Sequence, residues 1–124
     1  MFFDNHIIIS DYQNITLDFK DYLRNKDSLI FKRCKNINIT VNSKINKLIF
    51  LKSKNITLKC SSTICGIDIE NCQDFNLIPL KPYLLNYIDC YKSYIDIYIN
   101  NIDNIMDKIK INNQLSNIKI IYQD

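Results

Sequence analysis

The chain repeats itself at a constant interval of nineteen residues, and no other feature restricts its possible folds as strongly. The segment FKRCKNINI at residues 31–39 returns nineteen residues later as FLKSKNITL at residues 50–58. Counted from Leu29 and Leu48, where these two copies begin, weaker copies in the same register begin at residues 67 and 86. A repeat of this length is typical of solenoids, in which each copy forms one coil and packs against its neighbours.

Within each copy, apolar residues alternate with polar ones. Leu29 and Phe31 are two residues apart, and Leu48 and Phe50 repeat the pair one interval later. A period of two places successive side chains on opposite faces of a β-strand. Two short strands per copy, separated by turns of Lys, Asn, Ser and Asp, predict an all-β fold: a parallel β-helix of about six short coils. The alternative, an antiparallel β-sandwich, gives no reason for a constant interval.

The bulk composition predicts a single globular domain, residues 1–124. The chain is 47% hydrophobic and 23% charged, which is too apolar for disorder and too short for two cores. The N-terminal segment MFFDNHIIIS contains an acidic residue where a signal peptide has basic residues. No apolar run reaches the roughly eighteen residues of a membrane span. We therefore expect a cytoplasmic protein with no membrane contact. Its five cysteines, an odd number, favour reduced thiols over a disulfide framework.

The nineteen-residue interval also predicts columns of stacked residues at the corners of the coils. Asn36 and Asn55 share one column, where Asn tolerates a left-handed backbone and can hydrogen-bond along the stack. A second column contains cysteines, but its members lack the closely spaced pairs of ligands that a metal or redox site needs. We predict that their side chains fill the corner. The first column continues with Asp74 and Ser93, and the second contains Cys34, Ser53, Cys72 and Tyr91.

The repeat changes character near the end of the chain. DKIKI at residues 107–111 and IKIIY at residues 118–122 are alternating segments on either side of the turn NNQLSN. This pattern predicts an antiparallel hairpin over residues 107–122, following coils at about residues 7–106. Because a bare sheet edge aggregates, we expect the hairpin to cover the end of its own chain or to reach another.

Three segments in this order resemble a known family. CKNINITVNSKINKLIF (34–50) is followed by SSTICGIDIENCQDFNL (61–77), which contains Gly66, and by KPYLLNYID (81–89). Together with the closing segment IKINNQLSNIKII (109–121), their order and spacing are similar to the C-terminal domain of adenylyl cyclase-associated proteins, from about Leu29 to Tyr122. The resemblance implies a right-handed parallel β-helix that binds actin monomers, preferentially with ADP. It also implies a homodimer formed by exchange of the C-terminal hairpin, with the interface at Ile109, Ile111, Ile118 and Ile120.

The ends of the sequence differ from the family pattern. The chain begins at Met1, about one coil before the repeat, and ends at Asp124, directly after the predicted hairpin. We therefore expect the family's helical domain, its proline-rich region and its C-terminal tail to be absent.

The basic middle of the chain supplies the candidate actin contacts. Residues 28–67 contain eight Lys or Arg and no Asp or Glu. Such a patch is either a solvated face or an attractor for an acidic partner such as actin, whereas the net charge of +3 is too small to predict nucleic-acid binding. Acidic residues on the next strand would fix the register of the complex. The predicted contacts are Lys44, Lys47, Lys52, Lys54, Asp68 and Glu70.

Two other functions stay open. The tubulin cofactor C domain shares the fold and stimulates GTP hydrolysis with an arginine finger, but here Asp68 and Glu70 stand on the corresponding strand. A scaffold that has lost actin binding is the other alternative. Catalysis by the chain itself is not predicted, because one His, His6, and one Gly provide neither a nucleophile–base pair nor a phosphate loop. No metal or cofactor is predicted.

Overall fold

The computed structural model describes residues 5–20, 23–85, 87–100 and 109–123, and all regular structure in these ranges is β-strand. The strands alternate between two six-stranded sheets, sheet A with the odd-numbered strands and sheet B with the even-numbered ones. Every strand pairs in parallel with the strand two places away. The predicted parallel β-helix is thereby confirmed, with six coils of two strands. The strands are β1 (Asn5–Ser10), β2 (Gln13–Phe19), β3 (Asp27–Lys32), β4 (Lys35–Val41), β5 (Lys47–Leu51), β6 (Lys54–Thr63), β7 (Ile67–Glu70), β8 (Gln73–Leu85), β9 (Tyr87–Tyr91), β10 (Tyr94–Asn100), β11 (Lys110–Gln114) and β12 (Asn117–Gln123).

The interval of nineteen residues holds for coils 2 to 4 and then changes. Leu29 pairs with Leu48, and Leu48 with Ile67, as the repeat predicts. Ile67 then pairs with Ile88, two residues later than a constant interval would place its partner. Because the connections between stacked strands can vary in length without disturbing the pairing, the extra residues leave the inward columns intact.

Stacked apolar columns fill the space between the two sheets. The Phe31 and Phe50 rings lie parallel, with centroids 4.8 Å apart, and Phe75 from sheet B meets Phe50 edge to face at 4.8 Å. All three side chains are fully buried. Aromatic pairs in these geometries contribute about 0.5–1.5 kcal/mol each beyond the burial of their area.

The corners from sheet A to sheet B use left-handed residues. Asn36, Asn55 and Asp74 have φ angles of 56°, 55° and 52°, as predicted, but Ser93 is not among the left-handed residues. The Asn55 Nδ2 donates to Asn36 Oδ1 at 2.6 Å, and the Asn36 Nδ2 donates to Asn14 Oδ1 at 2.9 Å. The predicted hydrogen bonding along the stack is confirmed for the asparagines, and it begins one coil earlier, at Asn14.

A second corner column hydrogen-bonds buried backbone amides. The Cys34 amide donates to Ser53 Oγ at 3.1 Å, and the Cys72 amide donates to Ser93 Oγ at 3.0 Å. Ser93, and not the predicted Tyr91, continues the column because β9 lies two residues later than an interval of nineteen places it, whereas β10 lies one residue later. The column therefore satisfies buried donors at the corner. In the described ranges, no group of His, Cys, Asp or Glu is arranged to hold a metal ion.

The predicted C-terminal hairpin is wrong. Strand β11 pairs in parallel with β9, and β12 in parallel with β10, so the two strands belong to different sheets. The turn between them is another corner, with Leu115 left-handed at a φ of 59°. Local alternation around a short turn is the same for a hairpin and for a coil corner, which explains the error. Residues 107 and 108, where the hairpin was predicted to begin, lie outside the described residues.

All five cysteines are free thiols in the structure. Cys60 and Cys90 point into the core, and burial raises the pKa of each thiol to about 12. Cys65 is exposed. No helix among the described residues is long and apolar enough to cross a membrane.

Alkaline pH should destabilise the fold through the buried thiols. A thiol in the unfolded chain titrates near pH 8.5. Because the folded state keeps these thiols protonated, each contributes to the free energy of unfolding in full below about pH 8.5. This contribution is lost as the pH rises toward 12. Between pH 8 and pH 10 the free energy of unfolding of the wild type should fall, and we expect the fall to be smaller by about 2 kcal/mol in Cys60→Ala. Urea titrations at the two pH values measure this difference.

The control for this pH experiment is Cys65→Ala, which should show the wild-type decrease because its thiol is exposed. An equal decrease in Cys60→Ala and the wild type would contradict the assignment.

Candidate functional site: an outer surface of the β-helix

The outer face of sheet A changes character from one end to the other. One outward row begins with three isoleucines and continues with two aspartates. On the aliphatic side, Ile8 is exposed, while Ile30 and Ile49 are half-buried. The corresponding row of sheet B starts with Thr16, Asn38 and Thr57, so sheet A is the less polar outer face. The sheet A row is Ile8, Ile30, Ile49, Asp68, Asp89 and Asn112.

Two of the predicted actin contacts bind each other on this face. The Lys47 Nζ lies 2.9 Å from Asp68 Oδ2, across the boundary between coils 3 and 4. Both side chains are about one-third exposed, a setting in which an ion pair contributes at most about 1 kcal/mol. The pair neutralises the Lys47 charge locally, so Lys47 contributes less to long-range attraction than its position in the sequence suggests.

Beside this ion pair, three carboxylates border a shallow depression of about 360 Å³. Asp68 and Asp89 are direct neighbours in adjacent strands, and Glu70 lies two residues beyond Asp68. Sequence reasoning missed Asp89, because a constant interval of nineteen residues places Tyr87 next to Asp68. The depression is lined by Asp68, Ile69, Glu70, Asp89, Cys90, Tyr91, Asn112 and Gln114.

Four cations cluster at the corner between the two sheets, and we call this group the basic corner: Arg33, Lys35, Lys52 and Lys54. All four side chains are exposed, and Lys35 and Lys54 are direct neighbours in β4 and β6. Lys52 and Lys54 were predicted contacts. Arg33 and Lys35 stand one interval earlier in the same columns, so the repeat itself contained the signal for them.

Arg33 of the basic corner forms a salt bridge with Asp11. The Arg33 Nε and Nη2 donate to the two Asp11 carboxylate oxygens at 3.0 Å and 3.2 Å. These hydrogen bonds lower the pKa of the Asp11 carboxyl and raise that of the Arg33 guanidinium. Arg33 is thus engaged at the corner, and the outward strand position of an arginine finger is occupied by Asp68. The structure therefore adds nothing in favour of the GTPase-activating alternative.

The sequence model of one protein family, described as adenylate cyclase associated (CAP) C terminal, matches residues 3–109. The chain belongs to this family. The match confirms the resemblance read from the repeat, and membership is consistent with actin binding by a non-enzymatic domain. Comparisons with curated proteins and with solved structures gave no match.

In this CAP C-terminal domain, the matched span includes coils 1 to 5 and stops just before β11. Coil 6, formed by β11 and β12, lies beyond the matched residues. Any role of coil 6 must therefore be argued from its own side chains.

The predicted contacts do not form one cluster. Lys52 and Lys54 lie in the basic corner, and Asp68 and Glu70 border the depression on sheet A. Lys44 is exposed on the connection between β4 and β5, at the opposite end of β5 from Lys52. A single partner surface that covers sheet A and the basic corner can reach five of the six predicted residues, and Lys44 lies away from that surface.

Proposed function

We propose that this CAP C-terminal domain binds actin monomers and acts without catalysis of its own. The family match along the first five coils carries the proposal. The architecture suits the role, because stacked coils form a flat and rigid outer surface rather than a small-molecule cleft.

We assign different roles to the two charged regions of the surface. The exposed cations of the basic corner attract an acidic partner over a distance, and attraction of this kind raises the association rate more than the final affinity. The carboxylates around the depression and the Lys47–Asp68 pair lie on the sheet itself, where they fix the register of the docked partner. Following the family resemblance, we propose that ADP-loaded monomers are preferred.

Reversing two charges of the basic corner should weaken actin binding. We expect Lys52→Glu combined with Lys54→Glu to raise the Kd for ADP-actin monomers at least tenfold at low salt, mainly through a slower association rate. The loss should shrink as salt screens the charges, since the Debye length falls to about 8 Å at 0.15 M. Titration of fluorescently labelled ADP-actin and ATP-actin at several salt concentrations measures both effects.

The matched control is Lys20→Glu combined with Lys59→Glu, which makes the same change in net charge at exposed sites outside the basic corner. The proposed role of the corner is wrong if both double variants lose affinity equally. Actin binding itself is refuted if the wild type binds neither nucleotide form at tens of micromolar.

We also propose that the domain self-associates through its last coil. The four isoleucines predicted for the dimer interface belong to this part of the chain. Ile109 is buried, and Ile111, Ile118 and Ile120 are half-buried against the core of their own chain. Because β11 and β12 are not an antiparallel hairpin, exchange of a hairpin loses its structural basis, and the coil as a whole becomes the associating element.

Removal of the last coil tests self-association. We expect the full chain to be oligomeric and a variant lacking residues 107–124 to be a monomer in light scattering. Circular dichroism of the truncated variant checks that the remaining coils are folded. An unchanged mass after truncation would refute association through coil 6.

A further inference from the structure

The boundary between coil 4 (β7 and β8) and coil 5 (β9 and β10) has the shortest strand pairing in sheet B. Among the described residues, three residues of β8 pair with β10, whereas six or more pair at each other boundary of this sheet. The pairing of β8 with β10 ends at Leu77, and Pro79, two residues later, has no amide hydrogen to donate. Fewer interstrand hydrogen bonds therefore hold coils 4 and 5 together.

The apolar core also narrows at this boundary. In one inward column of sheet A, Phe31 and Phe50 are followed by Ile69 in coil 4 and by Cys90 in coil 5. The aromatic ring of Phe75 packs against Phe50 and so ties coil 4 to coil 3. All these side chains are buried, so the columns differ in the volume of their members. The Ile69–Cys90 pair therefore buries less apolar surface than the stacked phenylalanine rings do.

Like charges face each other across the same boundary. Asp68 of coil 4 and Asp89 of coil 5 are direct neighbours, and like charges in this position destabilise strand pairing. The Lys47 charge offsets part of the Asp68 charge, but this ion pair joins coil 4 to coil 3. The Lys110 Nζ lies 5.7 Å from the centroid of the Tyr87 ring, a contact that joins coil 6 to coil 5. These electrostatic contacts thus stabilise the boundaries on either side of coils 4 and 5.

Two side-chain hydrogen bonds do cross the boundary. The Tyr98 hydroxyl lies 3.2 Å from Asn76 Oδ1, and the Cys72 amide donates to Ser93 Oγ at 3.0 Å. A bond like the second also joins coils 2 and 3, so it gives this boundary no advantage over the others. The Lys92 ammonium lies over an aromatic ring of its own coil. One partly buried hydrogen bond thus stands against the short pairing, the small core pair and the like charges.

We propose that this boundary is a seam at which coils 5 and 6 open together as one unit while coils 1 to 4 stay folded. Stacked coils contact only their neighbours, so stability is a sum over boundaries and the weakest boundary opens first. Coils 5 and 6 stay joined because five residues of β9 pair with β11 and seven of β10 pair with β12. The carboxylate depression spans the seam, with Asp68 and Glu70 on one side and Asp89 on the other. Opening separates these carboxylates, so they form one surface only in the closed state.

Native-state hydrogen exchange of the wild-type chain tests the seam. Coils 2 and 5 are each one coil from an end of the β-helix, so simple fraying from the ends would affect them alike. With a seam, the buried amides of β9 and β10 should exchange about a hundredfold faster than those of β3 and β4. The best-protected amides of coil 6 should show the same denaturant dependence as those of coil 5. Equal protection of coils 2 and 5, or a graded loss from coil 4 to coil 6, would refute the seam.

A disulfide across the seam provides a matched comparison. In a Cys65→Ser background, which removes the exposed thiol, Asn76→Cys is combined with Asp96→Cys, because these residues are direct neighbours on the outer face of sheet B. The control combines Asn38→Cys with Thr57→Cys, which are neighbours in the same row between coils 2 and 3. Neighbouring parallel strands lie about 4.8 Å apart, which is within the range that a disulfide can bridge.

Oxidation of the pair across the seam should slow exchange in β9 and β10 at least tenfold relative to the reduced form of the same protein. Oxidation of the control pair should leave exchange in these strands unchanged. Because each protein is compared with its own reduced form, the effect of the substitutions themselves cancels. Equal slowing by both disulfides would mean that coils 5 and 6 open only with the whole domain, and no slowing by the first would place the opening elsewhere. Either result overturns the proposal.

Discussion

Phe50→Ala should lower the free energy of unfolding by about 3–5 kcal/mol, the largest effect we expect from a single substitution. The Phe50 ring is fully buried in the middle of the β-helix and contacts Phe31 on one side and Phe75 on another, both at 4.8 Å. Its removal loses the buried area and both aromatic contacts, and it leaves a cavity that the stacked coils cannot close. Since small domains are stable by only about 5–15 kcal/mol, this loss is a large share of the total.

Urea denaturation followed by circular dichroism measures the effect. Phe50→Leu, which keeps most of the volume, should lose under about 1.5 kcal/mol. Tyr94→Ala removes an exposed aromatic side chain and should change stability by no more than about 0.5 kcal/mol. If Phe50→Ala were no more harmful than Phe50→Leu, the aromatic stack would not be the centre of the core.

Gly66→Ala should lower the free energy of unfolding by about 2–3 kcal/mol, from strain and a steric clash together. Gly66 has a φ of 91°, a conformation that side chains with a Cβ rarely adopt. A Cβ at this position would clash with the backbone oxygen of Tyr87 in the next coil. Because that neighbour is backbone, the clash can be relieved only by moving coil 5 away from coil 4.

A matched substitution at Asn71 separates the cost of backbone strain from the cost of the steric clash with Tyr87. Asn71 is also left-handed, with a φ of 53°, but its side chain is exposed. Asn71→Ala should therefore lose only about 1 kcal/mol, the difference in tolerance of this backbone conformation. Thermal or urea unfolding of the two variants gives the comparison. Equal losses would mean that the close approach to Tyr87 contributes nothing.

The fold was predictable because each coil repeats the same local sequence pattern. The alternation of Leu48 and Phe50 indicated strands, and the stacked asparagines indicated left-handed corners that hydrogen-bond along the column. These signals depend on residues close in the chain and on one fixed interval. They did not depend on how any coil connects to the next.

The site was less predictable because it depends on contacts between coils. Lys47 and Asp68 were both predicted to contact a partner, yet they bind each other. Asp89 reaches the depression only because the interval lengthens between coils 4 and 5. The parallel pairing of residues 110–123 likewise required knowing which strands lie beside them, since alternation around a turn also fits a hairpin.

The sequence by itself determined the parallel β-helix and its family, because period-two alternation inside a nineteen-residue repeat is satisfied by few folds. Only the tertiary structure decided the displacement of coil 5, the use of residues 110–123 as a sixth coil and the pairing of Lys47 with Asp68. The physical reason is that strand formation is encoded locally, whereas the partner of each strand is selected by burial of the shared columns across connections of variable length.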